Sequence, residues 1–204
     1  MDGVIDAVEE TDFDLTLFFR SADRLPDNPR VTKIGASVAD AAKLEEAVKV
    51  SQVVFVALSG DLPTMAKQII DAMKKTGANR LVFISSYGIY GEIAGNPGNV
   101  GGMLRPYRKA ADIVEESGLN YTTLRLPWLN DRNEFKYTVT HKDKEYVGVS
   151  GSRQSMVDFV LKIIKDPDFA AFDSIGLAAP DTQGKGVRYI NEMKSRKILG
   201  TFYF

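Results

Sequence analysis

Short apolar runs rich in Val, Ile, Leu and Phe alternate along this chain with stretches whose apolar residues recur every three to four positions. That rhythm constrains the fold more than any other feature. The runs lie at Asp14–Arg20 (DLTLFFR), Arg30–Ile34, Gln52–Leu58 (QVVFVAL), Arg80–Ser85 (RLVFIS), Tyr121–Leu124 and Ser174–Ala178. Nearly continuous apolar runs suit strands covered on both faces, as in parallel sheets. The intervening periodicity predicts helices over Asp40–Val50, Leu62–Thr76, Pro106–Ser117 and Ser152–Lys165. Gly77 and Gly118 are placed to end two of them, and Pro167 stops the last. Strand–helix alternation at this spacing predicts βαβ units: an α/β fold with a doubly wound, mostly parallel sheet. Two segments break the rhythm. Tyr87–Met103 is rich in glycine, and Asp131–Gly151 alternates polar and apolar residues, predicting a hairpin insertion.

Composition removes several kinds of chemistry. At 204 residues and 44% hydrophobic, the chain is the size of one domain with a real core, and residues 1–204 are read as one domain. Twenty-six basic residues balance 27 acidic ones, so no global field draws nucleic acid. With no cysteine and a lone histidine, His141, material for a metal site or a Ser-His-Asp triad is lacking. No run approaches the ~20 apolar residues of a membrane span, and Met1-Asp2-Gly3 is unlike a secretion signal, so the expected location is the cytoplasm. Glu9-Glu10, Glu45-Glu46 and Glu115-Glu116 read as solvated helix-surface pairs. His141 reads as exposed, and the basic, aromatic segment from Lys185 to Phe204 as a terminal piece packed on a sheet edge, or one offered to lipid or a partner subunit; a homodimer stays open.

Ligands of open α/β sheets bind beyond the carboxyl ends of the strands. The candidates are therefore the residues that follow each run. These are Arg20, Ser21 and Arg24 after the first, Ser37 and Val38 after the second, and Leu58, Ser59 and Gly60 closing the third. Ser85, Ser86 and Tyr90 close the fourth; Arg125, Pro127, Trp128 and Leu129 follow the fifth. Hydroxyl and small residues admit close backbone approach, and arginines suit phosphate.

Taken in order, LTLFFRSADRL, VVFVALSG, RLVFISSYGIYG, KAADIVEESGLNYTTLRLPWL and SRQSMVDFV resemble the atypical short-chain dehydrogenase/reductase family. The resemblance is to its NAD(P)H-binding group of NADH–flavin reductase-like, NmrA-like and biliverdin reductase B-like proteins, over roughly Val4 to Ala179. It implies that Arg20 with Ser21 grips a 2′-phosphate and favours NADP over NAD, which stays the second choice. It implies further that Ser37-Val38 stands where relatives place Asp-Val against adenine. Ser86 and Tyr90, in a Ser-x-x-x-Tyr-Gly pattern, then face the nicotinamide, along which Pro127 and Trp128 run.

Two departures qualify that reading. Dehydrogenases of the superfamily pair a tyrosine with a lysine four residues on, the lysine lowering the tyrosine pKa. Here Lys109 matches the lysine, but Arg105 holds the tyrosine position and Tyr107 lies two residues off. The family also opens with an apolar strand and a Gly-x-x-Gly-x-x-Gly turn that holds pyrophosphate. Met1–Val8 matches the end of the helix after that turn, so the expectation is a chain short of that strand and cradle. The same glycine spacing at Gly95, Gly98 and Gly101 follows no apolar strand and reads as a substrate-side flap. The implied activity is hydride transfer from NADPH to a flavin or similar conjugated small molecule, by placement more than by acid–base chemistry. The alternative is a non-catalytic dinucleotide sensor or scaffold.

Overall fold

The computed structural model describes residues 11–93 and 98–185. Gly95 of the glycine series, the segment matched to the end of a first helix, and most of the basic, aromatic C-terminal stretch lie outside the described residues.

Strands β3 (Val54–Val56), β4 (Arg80–Ser86), β5 (Asn120–Leu126) and β9 (Asp173–Ala178) pair side by side in parallel. β7 (Thr138–Thr140) closes that sheet as an antiparallel edge on β9. β1 (Leu15–Phe18) and β2 (Val31–Ile34) form a separate parallel pair, and so do β6 (Trp128–Asn130) and β8 (Ser150–Ser152). Among the described residues no strand joins β1 to β3.

The helices α1 (Ala41–Val48), α2 (Leu62–Thr76), α3 (Arg105–Glu115) and α4 (Arg153–Lys165) fall where the periodicity predicts them. Local chemistry sets their ends. Asp61 accepts from the Thr64 amide to start α2, and Gly77, in the left-handed region, ends it. Ser152 accepts from the Ser155 amide at 3.0 Å to start α4.

Alternation along β4 sends Leu81 and Phe83 to one face and Val82 to the other. The first face is packed by α1, α2 and α3 through Leu44, Ile69, Met73, Ala110 and Val114. The second is packed by α4 through Phe159 and Ile163, which meet Leu124, Ile175 and Leu177. Each fully buried Leu, Ile or Phe contributes roughly 1.5–3 kcal/mol. Phe18 of β1 and Val38 and Leu58 of the loops pack on the first core.

The insertion at 131–151 is not a hairpin. Its first arm becomes β7 and pairs with β9, while Tyr146 is only 2% exposed and laid over Gly176. A Cβ at Gly176 would strike the Tyr146 ring, so glycine is what lets that ring seat. The Tyr146 hydroxyl donates to the Arg125 carbonyl (2.8 Å), which binds the arm to the sheet and removes it from strand pairing. No helix among the described residues is long and apolar enough to cross a membrane.

Candidate functional site

Parallel registry places the carboxyl ends of β3, β4 and β5 at one rim, where the loops to α2 and α3 begin. A cavity of about 410 Å³ opens there. The β3–α2 loop supplies Gly60 and Asp61 and the first turn of α2 supplies Pro63; the approach to α3 and its first turns supply Gly102, Arg105 and Lys109. Gly60 has φ +110° and nothing within 4 Å of where a Cβ would stand, so its backbone is open to a ligand. Among the described residues no group of three or more metal-ligating side chains is assembled.

Of the residues expected at the rim, Gly60 and Lys109 meet in this cavity. Arg20 is exposed just beyond β1, with Ser21 and Arg24 after it; Ser37 follows β2 alongside, since Phe18 pairs with Ile34. Arg20 makes no ion pair among the described residues. Ser37 uses its hydroxyl within its own loop, accepting from the Ala39 amide (3.3 Å). Ser85 is buried with no partner for its hydroxyl among the described residues, and Ser86 donates to the Tyr87 carbonyl (3.2 Å). Trp128 is 37% exposed, Pro127 is buried, and Leu129 points into the second core.

Tyr90 is drawn elsewhere. Its hydroxyl donates to Glu115 at the end of α3 and lies 3.1 Å from the Ser174 hydroxyl. Its ring lies under the Arg108 guanidinium at 4.8 Å. Glu115 is therefore no solvated surface carboxylate: it holds Tyr90 and Lys142. Beside them Arg125, fully buried, pairs with Glu92 at 2.7 Å and donates to the carbonyls of Thr140 and Ser174. Glu92 also accepts from the amides of Gly88 and Tyr90. The predicted site residues Arg125 and Tyr90 thus clamp the loop after β4 onto the sheet. His141 is exposed and pairs with Asp173 (2.6 Å).

Burial, with the Glu115 carboxylate beside it, pushes the Tyr90 phenol well above the usual range, and burial does the same for Tyr146. A phenol with a raised folded-state pKa keeps its proton in the native state while the unfolded state loses it above about pH 10. Stability is therefore expected to fall as pH rises through that value. Alkaline unfolding monitored by phenolate absorbance should show those two tyrosines ionising only as the chain unfolds. Their ionisation within the folded protein would contradict the network.

Sequence reasoning noticed Arg105 only as a substitute for tyrosine. Its spacing of four from Lys109 puts both on one helix face, the signal that could have marked it as part of the site.

Comparison with known proteins bears on this rim. The profile of a family described as NAD(P)H-binding matches residues 4–167. A Rossmann-fold NAD(P)-binding family protein from Shigella flexneri is 30% identical, with a TM-score of 0.77 over 89% of this chain and 88% of its own. A short-chain dehydrogenase/reductase from Veillonella parvula, solved in complex with NADP, is 28% identical, with a TM-score of 0.78 over 88% of each chain. An anaerobillin reductase from Escherichia coli shares the fold at 16% identity and a TM-score of 0.70, over 87% of this chain and 90% of its own. No protein of curated function matches the chain.

Proposed function

The chain belongs to the NAD(P)H-binding family, and from that we propose that it is an NADPH-dependent reductase acting in the cytoplasm on a flavin or similar conjugated small molecule. The observation that carries the reading is the pair lining the cavity. Arg105 stands four residues before Lys109, and the candidate acid Tyr90 has its hydroxyl committed to Glu115 and Ser174. A guanidinium holds its charge where relatives place a phenol, so the site offers placement and positive charge in place of the tyrosine acid.

The described residues fit a dinucleotide. Arg20, exposed and without an ion pair among the described residues, suits a 2′-phosphate in bidentate fashion, and Ser21 adds a hydroxyl. Ser59 and Gly60 bring open backbone to the rim, and the orphaned Ser85 hydroxyl lies at the end of β4. When bound, the nicotinamide supplies the hydride. Lys109 and Arg105 hold positive charge beside the acceptor, favouring charge build-up there. The exposed Trp128 ring gives a planar acceptor a surface to lie against.

The test is acceptor choice. NADPH oxidation should proceed with riboflavin and fail with simple ketones and aldehydes, whose reduction needs a proton donor. Turnover of ketones but not of flavin would overturn the reading. Protection from thermal unfolding by millimolar nucleotide without any turnover would favour a dinucleotide sensor.

A further inference from the structure

The first turn of α3 is built against ordinary helix electrostatics. Helix N-termini carry partial positive charge and favour acids, yet α3 opens with Arg105, Pro106, Tyr107 and Arg108 and has no acid in its first turn. Its N-cap, Leu104, brings no side-chain cap; a 3-10 turn over Gly102–Leu104 leads into the helix, and the Arg105 amide donates to the Gly102 carbonyl. Arg108 is neutralised by Asp112 at 2.7 Å, but Arg105 and Lys109 make no ion pair among the described residues. Both line the cavity, whose one acid, Asp61, is engaged in capping α2. Two cations and a dipole end therefore converge on a space large enough for a charged arm, with one occupied carboxylate against them.

We propose that Arg105 and Lys109 form an oxyanion site that selects electron acceptors carrying a phosphate or carboxylate arm. This rests on the reductase reading and names its substrate class. Bidentate contact from Arg105 and a point charge from Lys109 supply the recognition, and the helix terminus adds to both.

FMN and riboflavin share one ring system and differ by a phosphate, so they isolate the contribution of charge. In titrations of the intact protein followed by flavin fluorescence, FMN should bind at least tenfold tighter than riboflavin at low ionic strength. The preference should shrink in high salt. It should fall close to parity in Arg105→Ala and below parity in Arg105→Glu. Thermal unfolding of these variants should match the parent, because Arg105 is exposed and has no ion-pair partner among the described residues. Equal affinity for the two flavins, no binding of FMN, or an FMN preference indifferent to Arg105→Glu would overturn the proposal. So would a loss of NADPH affinity in Arg105→Ala with FMN preference intact, which would assign the site to the cofactor's own phosphates. FMN preference that depends on Arg105 in a protein that oxidises no NADPH would instead sink the reductase reading and leave the anion site standing.

Discussion

Replacing Glu92 with glutamine is expected to destabilise the fold by about 3–5 kcal/mol, the usual cost of stripping one partner from a buried ion pair. Arg125 is fully buried and the Glu92 side chain only 5% exposed, so neither charge has water to fall back on. The glutamine would leave a guanidinium facing two backbone carbonyls, those of Thr140 and Ser174, with its paired carboxylate gone. It would also weaken acceptance from the Gly88 and Tyr90 amides, loosening the loop after β4. Denaturant unfolding measures this directly. Pairing it with Arg125→Met should cost much less than the sum of the two single changes, because the double variant buries no unpaired charge. Additive costs would show that the pair is not coupled as its geometry implies.

Arg20→Glu should invert the choice of cofactor. A hydrogen bond to a charged group contributes roughly 1.5–3 kcal/mol, so losing the Arg20 contact should weaken NADPH binding about 10–100-fold, with repulsion from the new carboxylate adding to that loss. NADH, which lacks the 2′-phosphate, should bind as before or better, since an acid in this position can accept from the ribose hydroxyl. Calorimetric titration of both nucleotides against the parent and the variant gives the comparison. Unchanged NADPH affinity would remove Arg20 from the site.

Much of the fold was legible because its signals are local. The spacing of Leu62, Met65, Ile69, Ile70 and Met73 with Gly77 behind them delimits α2 to the residue. The run at Gln52–Leu58 yielded only Val54–Val56, since β3 is an edge strand of its sheet among the described residues and Phe55 is 44% exposed. Long-range choices stayed hidden. Nothing near Tyr146 signals that a glycine thirty residues on leaves room for its ring, so a hairpin was the natural expectation for 131–151. Likewise Arg125 and Tyr90 read as site residues from their place after strands. Their partners Glu92, Glu115 and Ser174 come together only when the loop after β4 folds back over the sheet. Gly60 was named because the rim rule depends on topology alone and Lys109 because it matches the family's lysine, whereas Arg105 required seeing which helix face the cavity meets.

The claim that placement replaces a side-chain acid is tested most directly by mixing the protein anaerobically with NADPH and riboflavin and following the bleaching of the flavin across pH. The charged side chains in the cavity are Arg105, Lys109 and Asp61, and no histidine lines it. Bleaching in proportion to the protein added, at a rate flat between about pH 6 and 9, is the predicted result. No bleaching beyond the uncatalysed rate, or a bell-shaped profile centred in that range, would contradict the account.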